Sequence, residues 1–408
     1  MRYKLSLLVF LLGFVSGISV AQYTAVQTSL AKDNLLKDMD IYRDSITAHH
    51  VDPFAYISRK EFNRSIEKIK KSAANYNADE MLAALMKLNA DIKDEQTGLS
   101  FENPLILPLQ AYWFEEGIFV LKTDDAHSNM IGGKIVSIDG TPIKEIIERI
   151  KTVVPAENEQ SYKKAIPEFI ISPNILHGLD IISSNEHAKL TIVTKKGDTI
   201  SATLTAKTPI NIKFDRLKQR TTPLKYSGGP RDYWYKYDST EQYIYFECLR
   251  TANNKRIPYK DFEKELLDEI SSKNPKKLII DLRDNGIGNE DILKTFIEQL
   301  SKLPINEKGR IYVLVGRRTF LFALQEAFEL KDLTKAIFVG EETSGGKRGF
   351  GITESFDLPN TKLKLSYTIK RYENSYTESL KPDITIGEKF SDFENGTDAV
   401  LNYVLEQK

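Results

Sequence analysis

The chain has 408 residues, enough for roughly two or three domains, and its 41% hydrophobic and 28% charged content is that of an ordinary globular protein. Lys and Arg total 57 and Asp and Glu total 57, so the formal net charge is zero and no bulk basic surface points to nucleic acid. The single cysteine, Cys248, excludes an internal disulfide, and no His, Cys, Asp or Glu spacing signals a metal or cofactor site.

Arg2 and Lys4 precede an apolar run from Leu5 to Val20, and Ser19-Val20-Ala21 places small residues at cleavage positions. Residues 1–21 therefore read as an export signal, too short and wrongly flanked for a membrane span, which implies a periplasmic or extracellular protein. A retained N-terminal anchor is the alternative.

Residues 22–104 read as helical. Leu35, Met39 and Tyr42 recur at helical spacing, as do Phe62, Ile66 and Ile69, and Asn77 caps a third helix carrying Met81, Leu82, Leu85 and Leu88. His49 and His50 stand at a break before Asp52-Pro53. Adjacent residues on one segment point apart, so a packing or hydrogen-bonding role is expected in place of a shared metal.

Over residues 105–206 the pattern changes to strands. AYWFEEGIFVLKTDD alternates about Glu116-Gly117, and KLTIVTKKGDTISATL is a hairpin through Lys196-Gly197-Asp198. Between them Gly132-x-x-Ile135-x-x-Ile138-Asp139-Gly140 leads into a helix with Ile143, Ile146, Ile147 and Ile150 on one face, a PDZ-like pattern of the kind that binds extended chain ends by β-augmentation. Residues 207–232 are rich in Pro, Lys and Gly and read as a connector.

Residues 233–408 alternate strands and helices. Strands are expected at Tyr243–Cys248, Leu278–Leu282, Ile311–Val315 and Ile337–Val339. The helices between them carry Phe262, Leu266, Leu267 and Ile270, then span Ile292–Leu303 and Phe320–Leu330. A β-hairpin through Tyr367 and one terminal helix over Asp392–Leu405 complete the chain. Cys248 ends the apolar run YIYFEC and reads as a core thiol. Such βαβ units place functional loops at the carboxyl ends of the strands, which singles out the stretches after Leu282 and after Val315.

The ordered segments LIIDLRDNGIGN, GRRTFLFALQEA, FVGEETSGG and LKPDITI resemble those of the tail-specific (C-terminal processing) serine peptidases, in their secreted, tricorn-core-like branch. The resemblance implies an α/β multi-domain protein: a helical N-terminal segment, a PDZ-like β-rich insert and a crotonase/ClpP-like α/β core. It also implies acyl transfer onto a serine at the head of a core helix, with a base and an oxyanion-binding loop. Here the nucleophile position is Leu321, with Phe322 beside it, and the His of the base motif is replaced by Gln96 in Asp94-Glu95-Gln96-Thr97. Neither Leu nor Gln can perform the step. The glycine loop reads Gly286-Ile287-Gly288. An inactive, polypeptide-binding relative is therefore expected, with polypeptide or protein C-termini as partners and no cofactor. The alternatives are an active peptidase with relocated chemistry, for which Ser344 and Lys347 are the candidate dyad, and a structural or interaction protein of the cell envelope. Arg317 and Arg318 either clamp a substrate carboxylate or form a solvated charge pair capping the strand end.

Overall fold

The computed structural model describes residues 31–101, 104–286, 288, 291–345, 350–371 and 378–407. The expected export signal lies outside these residues.

In chain order the elements are α1 (Lys32–His49), α2 (Arg59–Ser72), α3 (Ala78–Ala90), β1 (Gly98–Ser100), β2 (Leu109–Phe114), β3 (Gly117–Asp124), β4 (Lys134–Ile138), β5 (Thr141–Pro142), α4 (Ile143–Lys151), α5 (Glu159–Phe169), α6 (Pro173–Gly178), β6 (His187–Val193), β7 (Thr199–Thr205) and β8 (Phe214–Arg216). Then come β9 (Tyr233–Asp238), β10 (Tyr243–Cys248), α7 (Tyr259–Lys273), β11 (Lys277–Asp281), α8 (Lys294–Leu300), β12 (Ile311–Val315), α9 (Phe322–Leu333), β13 (Ile337–Gly340), β14 (Phe350–Asp357), β15 (Lys364–Arg371), β16 (Ile384–Thr385), α10 (Phe390–Asn395) and α11 (Ala399–Glu406). No described helix is long and apolar enough to cross a membrane.

The chain divides into two compact units, one built from residues up to 217 with 350–372 and the other from 218–349 with 373 onward. In the first, α1, α2 and α3 bury the stripes that their spacing defines, including Leu35, Met39 and Tyr42, then Phe62 and Ile66, then Met81, Leu82, Leu85 and Leu88. Ser58 and Asn77 close capping boxes with Glu61 and Glu80, satisfying first-turn N–H groups that a helix leaves unpaired. Strands β2, β3, β4, β6 and β7 lie side by side in that order, with β5 on β4 and β8 on β3. Asp139 and Gly140 both take positive φ (47° and 81°) in the tight turn that carries β4 into β5 and α4. The β14–β15 hairpin, which the sequence reading leaves inside 233–408, belongs to this unit. Its strand β15 pairs with β1 from Gly98↔Ser366 to Ser100↔Lys364, a partnership across more than half the chain that no local pattern announces.

The second unit is a six-stranded sheet in the order β16-β13-β12-β11-β10-β9. Strand β9 is antiparallel to β10, and every other neighbouring pair is parallel. Alternate side chains enter different cores because successive residues of a strand face opposite ways. Ile244, Phe246, Leu278, Ile280, Ile311 and Val313 pack with α7, α8 and α9. Tyr243, Tyr245, Ile279, Tyr312 and Leu314 pack with Val400, Leu401 and Val404 of α11. Both faces are covered, which is why these strands read as continuous apolar runs. The expected single terminal helix is instead two, α10 and α11. Gly396 breaks it in the left-handed region at φ 71°, and Asp398 opens the second helix by accepting the Leu401 N–H.

Candidate functional site

In the second unit the parallel strands deliver their loops to one end of the sheet. Asp281, at the end of β11, accepts from the Tyr245 hydroxyl at 2.6 Å and from Arg283, whose guanidinium also reaches both carboxylate oxygens of Asp398 at 2.7 Å. Arg283 is thus a buried clamp between the strand end and the α11 cap. The loop that follows is stitched to the one after β12. Thr319 donates through Oγ1 to the Leu282 carbonyl at 2.8 Å and accepts the Gly316 N–H at 3.0 Å, while the Phe320 N–H donates to the Asn285 carbonyl at 3.0 Å.

These bonds hold Leu321 at φ 55°, ψ −126° as the residue before α9, its carbonyl accepting the Leu324 and Gln325 N–H groups. This is left-handed backbone on a γ-branched residue. Such conformations cost about 1–3 kcal/mol and persist only where the surroundings dictate them. A strained strand–turn–helix junction of this kind is one that displays a single side chain at the head of a helix. What it displays here is an isobutyl group, flanked by the half-buried rings of Phe320 and Phe322.

Gly286 faces this junction, and a Cβ on it would stand 3.1 Å from the Arg318 carbonyl. Gly288 bridges Thr251, and a Cβ there would fall 1.7 Å from the threonine Oγ1, so the close approach requires glycine. Ile287 and Lys347 lie outside the described residues.

Arg317 differs from both expectations for it. It is buried, and its Nε and Nη2 bind Glu341 at 2.8 and 2.7 Å, tying β12 to the residue after β13. Its fork is committed to that carboxylate, so it is neither a solvated cap nor a clamp awaiting a ligand. Arg318 is exposed, 3.9 Å from Asp284. Ser344 has no solvent exposure.

The sequence reading missed several charged groups behind this end of the sheet. Lys225, in the stretch expected to be a plain connector, lies 3.6 Å from both Asp284 and Glu388. Burial opposes its charge, but Tyr226, Asp284 and Glu388 more than offset that, so its pKa is raised and it stays an ammonium. Glu326, on the second turn of α9, is wholly buried and accepts the Leu293 N–H at 2.9 Å. Burial pushes its carboxyl well above the usual range. Cys248 is buried, receives the Asn285 side-chain N–H at 3.4 Å, and has its thiol pushed up by the same desolvation, the state of an unreactive core thiol.

In the first unit, Asp94-Glu95-Gln96-Thr97 forms a tight turn after α3. Asp94 is buried, and its Oδ2 receives hydrogen bonds from the hydroxyls of Thr97 and Thr368 at 2.5 and 2.6 Å. Its Oδ1 receives the Gln96 N–H at 3.0 Å. His50 completes the set. Its Nδ1 accepts the Asp52 N–H at 3.0 Å, which leaves the proton on Nε2, 3.1 Å from Asp94 Oδ2. Both ring nitrogens of His50 are thus in use, and it serves the motif as a structural partner. Its place after α1 and before Asp52-Pro53 was the only trace of this in the sequence. Glu95 turns the other way, to Ser161 and Lys164. Gln96 is half-buried, and its carboxamide has no hydrogen-bond partner among the described residues.

No protein-family model and no curated protein matches the chain. Solved structures do. Mature CPAF matches with a TM-score of 0.63 at 13% identity, over 91% of this chain and 96% of that one. Mature CPAF complexed with lactacystin matches with a TM-score of 0.64 at 13% identity, over 91% and 97%. The photosystem II D1 C-terminal processing protease is 15% identical over 90% of this chain and 98% of that one, with a TM-score of 0.38. At these identities the likeness is one of fold. The chain is similar in fold to mature CPAF over nearly the full length of both.

Proposed function

We propose that this protein is a catalytically silent relative of the tail-specific serine peptidases, exported to the periplasm or the extracellular space, that holds polypeptide without cleaving it. The observation that carries the reading is Leu321. It occupies a strained turn at the head of α9 of the kind that presents a nucleophile, yet its side chain has no atom able to attack a carbonyl. Gln96 supports the same conclusion, since a carboxamide takes up no proton near neutral pH and cannot act as the base. In this reading residues 105–206 are a PDZ-like module, residues 233–349 with 373–408 a crotonase/ClpP-like core, and extended chains or C-termini the ligands. The full burial of Ser344 counts against a relocated nucleophile there.

The test is hydrolysis of casein by the mature protein beside a Gln96→His/Leu321→Ser double variant. No turnover by the unmodified chain, with turnover gained in the variant, is the expected result. Turnover by the unmodified chain that Ser344→Ala abolishes would overturn the reading in favour of moved chemistry. Silence in both, with no casein binding, would favour an envelope interaction protein that uses another surface.

A further inference from the structure

We propose that Gln96 reads the backbone of the bound polypeptide, its carboxamide pairing with one extended ligand residue, donating to that residue's C=O and accepting from its N–H. This deepens the polypeptide-holding function above and rests on it.

The argument starts from how the turn uses its side chains. Asp94 is saturated by His50, Thr97, Thr368 and the Gln96 N–H. Glu95 is held by Ser161 and Lys164. Thr97 is spent on Asp94, and its carbonyl accepts the Asn89 side-chain N–H at 2.7 Å. Of the four residues, Gln96 alone keeps an uncommitted polar group, and neither of its amide atoms is among the sealed, unpartnered ones, so solvent reaches them.

The backbone beneath it is fixed from three directions, by α1 through His50, by α3 through Asn89 and by β15 through Thr368. A group on so constrained a root forfeits little freedom on binding, which is what distinguishes it from a glutamine on a loose loop. Its chemistry selects the ligand. A carboxamide presents an N–H donor and a carbonyl acceptor side by side, as an extended residue presents its own C=O and N–H, and carries no charge, so it matches an extended backbone better than a carboxylate or a phosphate.

The experiment uses the full mature chain and fluorescently labelled casein peptides, with binding followed by anisotropy. For a peptide that the unmodified protein retains, Gln96→Ala is expected to weaken binding about tenfold, the worth of a paired hydrogen bond. N-methylation of one peptide bond in that ligand is expected to weaken binding to the unmodified protein by a similar factor, and to leave binding to Gln96→Ala unchanged. Since the Gln96 side chain supports nothing within the described structure, the melting temperature of Gln96→Ala should match that of the parent. Equal affinity in parent and Gln96→Ala would overturn the inference while leaving polypeptide binding intact. If the parent retains no casein peptide, the functional reading itself fails, and the inference fails with it.

Discussion

Replacing Glu247 by Gln is expected to flatten the pH dependence of stability in the unit that carries the parallel sheet. Glu247 is buried, with 3% exposure, faces Asp281 across the β10–β11 pairing, and accepts the Trp234 indole N–H at 2.5 Å. Desolvation first, and the Asp281 charge second, push its carboxyl up to about 9 from an ordinary 4.5. The folded protein therefore keeps a proton that the unfolded chain releases. Its stability contribution is complete below pH 4.5 and is lost as pH rises towards 9, at about 1.4 kcal/mol per pH unit. Between pH 5 and 8 the loss amounts to something on the order of 4 kcal/mol. Gln keeps the acceptor for Trp234 and has no proton to lose. Urea unfolding at several pH values, followed by Trp234 emission in a Trp113→Phe background, isolates this unit, because the chain has two tryptophans. Identical pH slopes for the parent and Glu247→Gln would refute the reasoning and mean that Glu247 is ionised when folded.

The remaining predictions concern the frame around the candidate site. Gly340→Ala should lower stability by about 2 kcal/mol or more, because φ is 130° and the new Cβ would lie 2.1 Å from the Val315 carbonyl; Gly309→Ala, at φ 84° with open space around it, should cost only about 1 kcal/mol in the same melt. Arg317→Met alone should destabilise by about 3–5 kcal/mol, since it strands the buried Glu341 carboxylate, and Arg317→Met/Glu341→Leu should recover most of that in denaturant unfolding. Equal losses in the single and double variants would contradict the pairing.

Elements whose cause is local were legible in the sequence. Asn77 and the Met81, Leu82, Leu85, Leu88 stripe define α3, and the apolar runs of β10 to β13 define a sheet covered on both faces. The start of α9 beside Leu321 was legible too, because Thr319-Phe320 follows a strand and a glycine. Features made by distant partners were not. Asp94 meets Thr368 274 positions along the chain, and Thr361 donates to Asp38 across 323, so neither the His50 network nor the seat of the β14–β15 hairpin leaves a periodic signal. Arg317 misled for a related reason. An arginine pair after a strand reads as a solvated cap or a ligand clamp until the glutamate that follows a neighbouring strand is brought beside one of them. The split between α10 and α11 had a signal, Asn395-Gly396, which was outweighed by the apolar spacing on either side.

The passage of the chain out of one unit and back into it has a consequence for how the protein is made. A ribosome that has finished Leu217 has delivered every strand of the first unit except β14 and β15, so β1 is left without its partner and Asp38 and Asp94 without the threonines that saturate them. The missing hairpin arrives only after the intervening stretch is translated, roughly ten to thirty seconds later at ordinary elongation rates. During that interval the β15-facing edge of β1 and two buried acids wait in water. Completion of the first unit is thus timed by synthesis of the second, and neither can be excised as one continuous piece.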